Sequence, residues 1–213
     1  MAELEDYLNQ LSKNCLTKKY PKDQTLIYEE DKPTEVLILN KGIIKIFDKD
    51  NSENEKILHL VKPMSIIPFS IFSGGKRINK WCYSALTDCQ VAVIPLTEFL
   101  DYMNTNVDFT MKLINWFSIE VHELLVRLSS LGKTTAQDKI ISALKFLAVY
   151  NSKKLKNNWV RIKFNVSHQL LADMTGVTRE RAAVIMKELA NSKFINYPKQ
   201  NILDLNLNQL LRN

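Results

Sequence analysis

Six apolar residues, Ile114, Phe117, Val121, Leu124, Leu128 and Leu131, recur at alternating spacings of three and four. This is the a/d rhythm of a heptad repeat. It predicts one long helix over residues 107–132 whose seam meets a second copy of the chain in a two-stranded coiled coil. A helix packed only on its own domain also carries an apolar stripe. Three regular repeats favour the dimer. Glu120, Glu123 and Arg127 fall off this seam and are expected to stay solvated. A helix of this length divides the sequence into a part before it and a part after it, and the two differ in texture.

Before the helix the pattern is mostly that of strands. Leu4, Leu8 and Leu11 first mark a short amphipathic helix over residues 3–13. From Lys22 to Pro95 short apolar runs alternate with turn-like clusters. Strands are expected at Leu26–Glu29, Val36–Asn40, Ile43–Asp48, Ile57–Val61, Trp81–Leu86 and Gln90–Ile94. The breaks carry Asp31-Lys32-Pro33, Lys41-Gly42, Asp48–Asn54 and Ser73-Gly74-Gly75. Several short strands at such spacing point to a β-sandwich or barrel. Thr97 can cap a short helix that ends near Tyr102.

After the helix the charge changes sign. Residues 1–132 hold 15 Lys and Arg against 18 Asp and Glu, a net of −3, whereas residues 133–213 hold 14 against 5, a net of +9. A basic surplus of that kind suits a polyanionic partner, although a solvated basic face is the plainer reading. Gly132 is expected to end the long helix in a left-handed C-cap. Thr135-Ala136-Gln137-Asp138 offers a capping signal for the next helix, whose buried face is Ile140, Leu144, Leu147 and Ala148. Asn151–Asn158 reads as a loop and Trp159–Phe164 as a strand. The expected organisation is α+β: a β-rich domain over 1–106, a dimerisation helix over 107–132 and a basic domain over 133–213.

Composition excludes several classes. The chain has 213 residues, 46% hydrophobic and 24% charged, with 5 Gly and 6 Pro, which is ordinary globular usage rather than disorder, collagen or a Pro-rich linker. Cys15, Cys82 and Cys89 are odd in number, widely spaced and free of any C-x-x-C pair, so neither a disulfide framework nor a cysteine-ligated metal is expected. The opening Met1–Asp6 lacks the basic start and apolar run of a secretory leader, and no membrane span is evident, so the cytoplasm is the expected compartment. His59, His122 and His168 lie far apart, and no nucleophile-elbow, P-loop or dinucleotide-binding string occurs. No catalytic residue, metal ligand or cofactor is assigned, and the chain is not read as an enzyme.

Residues 167–190 are the most informative. Ser167 can cap a short helix from His168 to Met174, and Gly176 supplies a sharp turn. Thr178 can then cap a second helix from Arg179 to about Ala190. Ala182, Ile185, Met186 and Leu189 line its inner face; Arg179, Glu180, Ala183, Val184 and Lys187 lie opposite. Two helices joined by a Gly-containing turn make a helix-turn-helix. The second helix of such a unit fits the DNA major groove, with its N-terminal residues on base edges. Arg179 can donate twice to guanine, and Glu180 can accept from cytosine. Ala183 and Val184 complete the base-facing set. Ser167, His168, Gln169, Thr178, Arg181 and Lys187 are candidates for phosphate contacts. Phe194–Tyr197 and Ile202–Leu205 then read as a hairpin around Pro198–Asn201, a wing whose tip brings Lys199 towards a phosphate.

These features together resemble the Crp/Fnr family of bacterial transcription regulators. The segment Ser167-His168-Gln169-Leu170-Leu171-Ala172-Asp173-Met174-Thr175-Gly176-Val177-Thr178-Arg179-Glu180 looks like the family's T-x-Q-x-[IL]-A-x-x-x-G-x-[ST]-R-E pattern. Glu30-Asp31 followed by Val36–Ile46 is similar to the opening of a cyclic-nucleotide-binding jelly-roll domain. The resemblance implies a jelly-roll sensor, a dimerisation helix and a winged helix-turn-helix, acting as a homodimer on a two-fold-related site in double-stranded DNA. It also implies contact with RNA polymerase. Two departures matter. Where many members carry a third arginine, four residues after the Glu, this chain has Val184, which can only touch a thymine methyl. Ile67-Pro68 stands where nucleotide-binding members place Gly-Glu, and Asn79-Lys80 where they place Arg-Ser. The ribose carboxylate and the phosphate arginine are both missing, so cyclic AMP is not the expected ligand. Lys76, Arg77 or Lys80 can still hold an anion, and Ile67, Pro68, Asn79 and Lys80 mark where an effector pocket is expected. The effector stays unknown. A second reading stays open: a ligand-sensing regulatory or scaffolding module that acts through protein contacts.

Overall fold

The computed structural model describes residues 2–49, 54–73 and 78–210. Of the described residues, one compact unit holds 2–49, 57–73 and 78–123, and the other holds 54–56 and 124–210. The divide falls inside the long helix, earlier than the Gly132–Lys133 boundary expected from charge. Lys76 and Arg77 lie outside the described residues, as do most of the Asp48–Asn54 break and Gly74-Gly75.

Helix α1, Ala2–Ser12, buries Leu4 and Leu8, as its 3–4 spacing requires. The strands of the first unit are β1 Leu16–Tyr20, β2 Thr25–Ile27, β3 Glu35–Lys41, β4 Ile44–Lys49, β5 Glu55–Val61, β6 Ser65–Ile67, β7 Cys82–Ala85 and β8 Cys89–Pro95. A 3-10 turn, Phe69–Phe72, follows β6. They form two four-stranded sheets, ordered β1-β8-β3-β6 and β2-β7-β4-β5. Helices α2, Leu96–Thr105, and α3, Val107–Leu131, follow.

The first sheet is covered on both faces. Val36 and Ile38 of β3, with Ala92 and Ile94 of β8, join a cluster that includes Leu8 of α1, Phe99 of α2, and Phe109, Leu113 and Trp116 of α3. The alternate residues, Leu37, Leu39, Val91 and Val93, join Ile44, Ile46, Val61 and Tyr83 between the two sheets. A strand buried on both sides cannot alternate apolar with polar, which is why β3 and β8 read as continuous apolar runs. Strand β1 is the opposite case. It pairs with β8 from Leu16↔Val93 to Tyr20↔Cys89, yet carries Lys18 and Lys19 and shows no apolar alternation. It is an edge strand defended by charge, and the sequence pattern does not reveal it.

The turn between β3 and β4 depends on Gly42. Its φ is +97°, and a Cβ there would stand 2.4 Å from the Asp88 carbonyl oxygen and 2.6 Å from Cys89 Sγ. Left-handed backbone and close approach both demand glycine.

Helix α3 has two apolar faces. Phe109, Leu113 and Trp116 face the first unit's core. Met111, Ile114, Val121, Leu125 and Leu128 form an exposed stripe that starts at Val107, with Leu128 66% exposed. Two residues expected on the seam are less exposed than this stripe. Phe117 packs its ring into the aromatic cluster of the β-domain, 4.7 Å from Phe72 and 5.0 Å from Trp116 between centroids. Leu124 is half-buried, and Met111 and Leu125 extend the exposed stripe instead. The expectation of solvated Glu120, Glu123 and Arg127 is also corrected: Glu120 is 2% and Arg127 3% exposed, and the Glu123 side chain is largely covered. Each turns to the buried face, where it has a polar partner.

Arg127 Nη2 donates to the carbonyl of Met174, and the guanidinium lies 6.0 Å from the Phe146 ring centre. Burial pulls its pKa down to about 10, so it stays charged at neutral pH. Gly132 does not adopt the expected left-handed cap; its N–H reaches Leu128 O at 3.3 Å, and the helix ends by ordinary turn geometry.

The second unit adds α4, Ala136–Tyr150, capped by Thr135, whose Oγ1 accepts from the Asp138 N–H at 3.0 Å. Its sheet contains β9 Ser152–Lys154, β10 Trp159–Ile162, β11 Ile195–Lys199 and β12 Ile202–Asn206, ordered β11-β12-β10-β9. Strand β9 lies in the segment expected to be a loop; pairing with β10 recruits a polar sequence that has no strand pattern of its own. Helices α5, His168–Thr175, and α6, Arg179–Asn191, pack on α4, and a short α7, Leu207–Leu210, follows.

Two substitutions test this packing in urea unfolding at fixed protein concentration. Gly42→Ala forces a strained φ and a steric overlap together, and is expected to destabilise by about 2–4 kcal/mol. Arg127→Ala removes a charge-assisted hydrogen bond and strands a buried carbonyl, and is expected to cost about 2–3 kcal/mol.

Candidate nucleic-acid interface

The two helices of the motif are built by their caps. Ser167 Oγ accepts from the Leu170 N–H at 3.0 Å and starts α5. Gly176 ends it with φ 71° and ψ 16°, the left-handed conformation. No atom lies within 4 Å of a Cβ placed there, so conformation alone, not space, selects glycine. Thr178 Oγ1 then accepts from the Arg181 N–H at 3.2 Å and starts α6. Each cap uses one hydroxyl acceptor and leaves the residue exposed.

Burial decides which face of α6 is available. Ala182, Ile185, Met186 and Leu189 are at most 1% exposed and anchor the helix. Arg179, Glu180, Arg181, Val184 and Lys187 are exposed, and Ala183 is half-buried between them. The first turn of α6 therefore offers a guanidinium fork and a carboxylate on one open surface. That pair matches the donor and acceptor pattern of a G·C pair in a major groove.

An open groove of about 680 Å³ runs beside α6. Ser167, His168, Gln169, Arg179, Ala183 and Lys187 line it from the helical side, and Tyr197 and Asn201 from the hairpin β11–β12. Thr178, Glu180, Arg181 and Val184 are exposed outside this lining, and Lys199 is exposed on the hairpin. The Gln169 side chain is partly committed: Nε2 donates to Asp173 Oδ1 at 2.6 Å. Tyr197 and Asn201 did not emerge from the sequence as site residues. The signal was the hairpin itself, whose turn contains Asn201 at φ 63°. The hairpin is tied to the sheet by a two-pronged ion pair, Arg161 Nε to Asp204 Oδ1 at 2.7 Å and Nη2 to Oδ2 at 2.9 Å. Asp204 is buried and takes both prongs of Arg161, so Arg161 serves the sheet.

The positions expected to line an effector pocket look different. Ile67 and Pro68 are buried, Ile67 between the two sheets. The Asn79 amide donates to Tyr28 O at 2.9 Å and to Trp81 O, so the one buried amide among the four is committed to backbone. Lys80 is exposed. Among the described residues, no helix is long and apolar enough to cross a membrane.

Comparison with known proteins agrees with this layout. A cyclic nucleotide-binding domain model matches residues 17–106, and a Crp-like helix-turn-helix domain model matches residues 125–212. The chain is 26% identical over 201 residues to the HTH-type transcriptional regulator ArcR of Staphylococcus haemolyticus, covering 91% of this chain and 87% of that one. It is 24% identical over 184 residues to the cAMP-activated global transcriptional regulator CRP of Salmonella typhimurium, covering 86% of each. The structure of FixK2 from Bradyrhizobium japonicum superposes with a TM-score of 0.79 at 15% identity, covering 93% of this chain and 96% of that one, which supports the fold. With two domain models spanning most of its length in the order the structure gives, the chain belongs to the Crp/Fnr family of transcriptional regulators, with a cyclic-nucleotide-binding-like domain and a DNA-binding helix-turn-helix.

Proposed function

We propose that the chain acts as a homodimer that reads a two-fold-related DNA sequence through paired α6 helices, independently of cyclic AMP. The observation that carries this reading is the open first turn of α6, where Arg179 and Glu180 stand exposed on a helix whose other side is fully anchored. Arg179, Glu180, Ala183 and Val184 face the bases. Ser167, His168, Gln169, Thr178, Arg181, Lys187 and Lys199 hold phosphates, which supply affinity without sequence information.

The exposed stripe of α3 supports the dimer. Val107, Met111, Ile114, Val121, Leu125 and Leu128 are spaced by three, four or, across Ser118, seven residues, and are each at least half exposed. A contiguous apolar stripe of that kind is an interaction surface, and heptad spacing suits a second copy of the same helix. Leu131 lies at its end. Cyclic AMP independence rests on Ile67-Pro68 and Asn79-Lys80, which leave no carboxylate for a ribose and commit the buried amide elsewhere. On this reading the protein works in the cytoplasm beside RNA polymerase as a regulator rather than an enzyme.

Selection from random-sequence DNA at low salt tests the reading directly. Wild type is expected to enrich a two-fold site with half-sites about 34 Å apart. The double variant Arg179→Ala with Glu180→Ala is expected to lose enrichment while keeping weak, salt-sensitive binding. Failure of the wild type to enrich any sequence would sink the regulator reading, and enrichment of the same sequence by the double variant would sink the assignment of those two residues. Sedimentation tests the dimer: Val121→Glu with Leu128→Glu is expected to convert a dimer to a monomer, and an unchanged sedimentation coefficient contradicts the proposed seam.

A further inference from the structure

One cluster in the first unit has no part in DNA reading. His59 on β5 meets Glu120 and Glu123 on α3, and one ligand atom from each lies within 4.8 Å of the others. The glutamates are three apart on the helix and so share a face. His59 Nε2 lies 2.9 Å from Glu120 Oε2, and both side chains are at most 3% exposed. The polar composition is unusual for its surroundings: the ring of Phe69 stands 6.3 Å from the imidazole, and Phe69 itself contacts Trp116 and Phe117.

The hydrogen bonding of this cluster is incomplete on the acidic side. Glu120 Oε1 is buried and takes no hydrogen bond among the described residues. Glu123 Oε2 is in the same condition, while its other oxygen accepts from Lys62 Nζ at 3.1 Å nearer the surface. Buried carboxylate oxygens are normally matched by a donor or a cation. Each carboxylate thus has one oxygen beside a side-chain nitrogen and a second oxygen without one. A divalent cation is the group that satisfies two such oxygens and an imidazole nitrogen together.

We infer that His59, Glu120 and Glu123 bind a divalent first-row transition cation through one imidazole nitrogen and two carboxylate oxygens. Mixed imidazole and carboxylate ligands suit zinc, iron(II) and manganese, and three protein ligands leave positions open to water or a further ligand. Donor atoms around a cation at about 2.1 Å stand about 3–4 Å apart. The observed spread closes to that by side-chain movements of about an ångström. Lys62 stays on the outer oxygen of Glu123, so the cation takes the inner one. The site joins β5 to the helix that carries the exposed apolar stripe, and its existence does not depend on how the second unit reads DNA.

Equilibrium dialysis of the full chain, first stripped with chelator, against zinc chloride and separately against manganese chloride tests the inference. One equivalent per chain is expected to bind saturably, with a rise in Tm. Glu120→Gln and Glu123→Gln keep the shape of the side chains and are each expected to weaken binding at least tenfold. His122→Ala, which removes the exposed histidine beside the cluster, is expected to leave it unchanged. Glu123 is the outermost ligand, so its variant decides the matter if Glu120→Gln fails to fold. Absence of saturable binding by both cations, or wild-type binding by a folded Glu123→Gln chain, overturns the site.

Discussion

Double burial of the sheet β1-β8-β3-β6 is the constraint on which the first unit depends. One face of β3 and β8 meets helices, the other meets the second sheet, and the side-chain period of two sends alternate residues to each. A one-residue slip would exchange the two sets. Ala92, placed among Val36, Ile38 and Phe99, leaves room for the rings of the helical side; the larger Val91 and Val93 fill the space between the sheets. Gly42 closes the β3–β4 turn against Asp88 and Cys89 at the start of β8, so register in both sheets is fixed close to the same point. Helix α3 docks on this platform through Phe109, Leu113 and Trp116, and docking determines which of its faces remains outside.

Buried polar groups then select one arrangement from those that apolar packing alone would allow. Asn79 holds the backbone at Tyr28 and Trp81, and Tyr83 OH accepts from the Phe69 N–H at 3.3 Å. Burial pushes the Tyr83 hydroxyl up to about 12, so it stays neutral and needs no counter-charge. In the second unit Arg127 gives a charged donor to Met174 O, one of the C-terminal carbonyls of α5 that lack a helical partner. The contact places a cation at the negative end of that helix, where charge and dipole agree. Arg161 and Asp204 fasten β10 to β12 in the same unit. These contacts are directional, and each would be expensive to leave half made.

Much of this was legible in the residues. The caps at Ser167, Thr178 and Thr135, the left-handed Gly176 and the inner face of α6 follow from local chemistry, because each depends on neighbours within four positions. What escaped depends on distant partners. Strand β1 is specified by β8, whose paired residues are 69 to 77 positions away, and its lysines hide it. Phe117 and Leu124 obey the same 3–4 rhythm as the exposed stripe, because α3 has two adjacent apolar faces and spacing alone cannot say which meets which partner. Glu120 and Arg127 were read as solvated because charged side chains are rarely buried without a partner. Their partners, His59 and the Met174 carbonyl, are 61 and 47 residues away. Of the candidate site, the helical half was visible and the hairpin contribution of Tyr197 and Asn201 was not, since it comes from a sheet that brings β11 back beside α6.

Chemistry on the outer surface of α6 divides affinity from selectivity. The second unit's surplus of lysine and arginine favours any nucleic acid backbone, and such attraction fades as salt rises. Sequence choice has to come from few groups. On the proposed reading, Arg179 and Glu180 address one G·C pair, while Ala183 and Val184 have no hydrogen bond to offer and discriminate only by contact with a thymine methyl. Each good bidentate contact discriminates by about 1–3 kcal/mol, so a single α6 is a weak reader. Two copies held at one turn of DNA multiply that discrimination. On the same reading, the selectivity of α6 depends on the apolar stripe of α3 that would hold the two copies together.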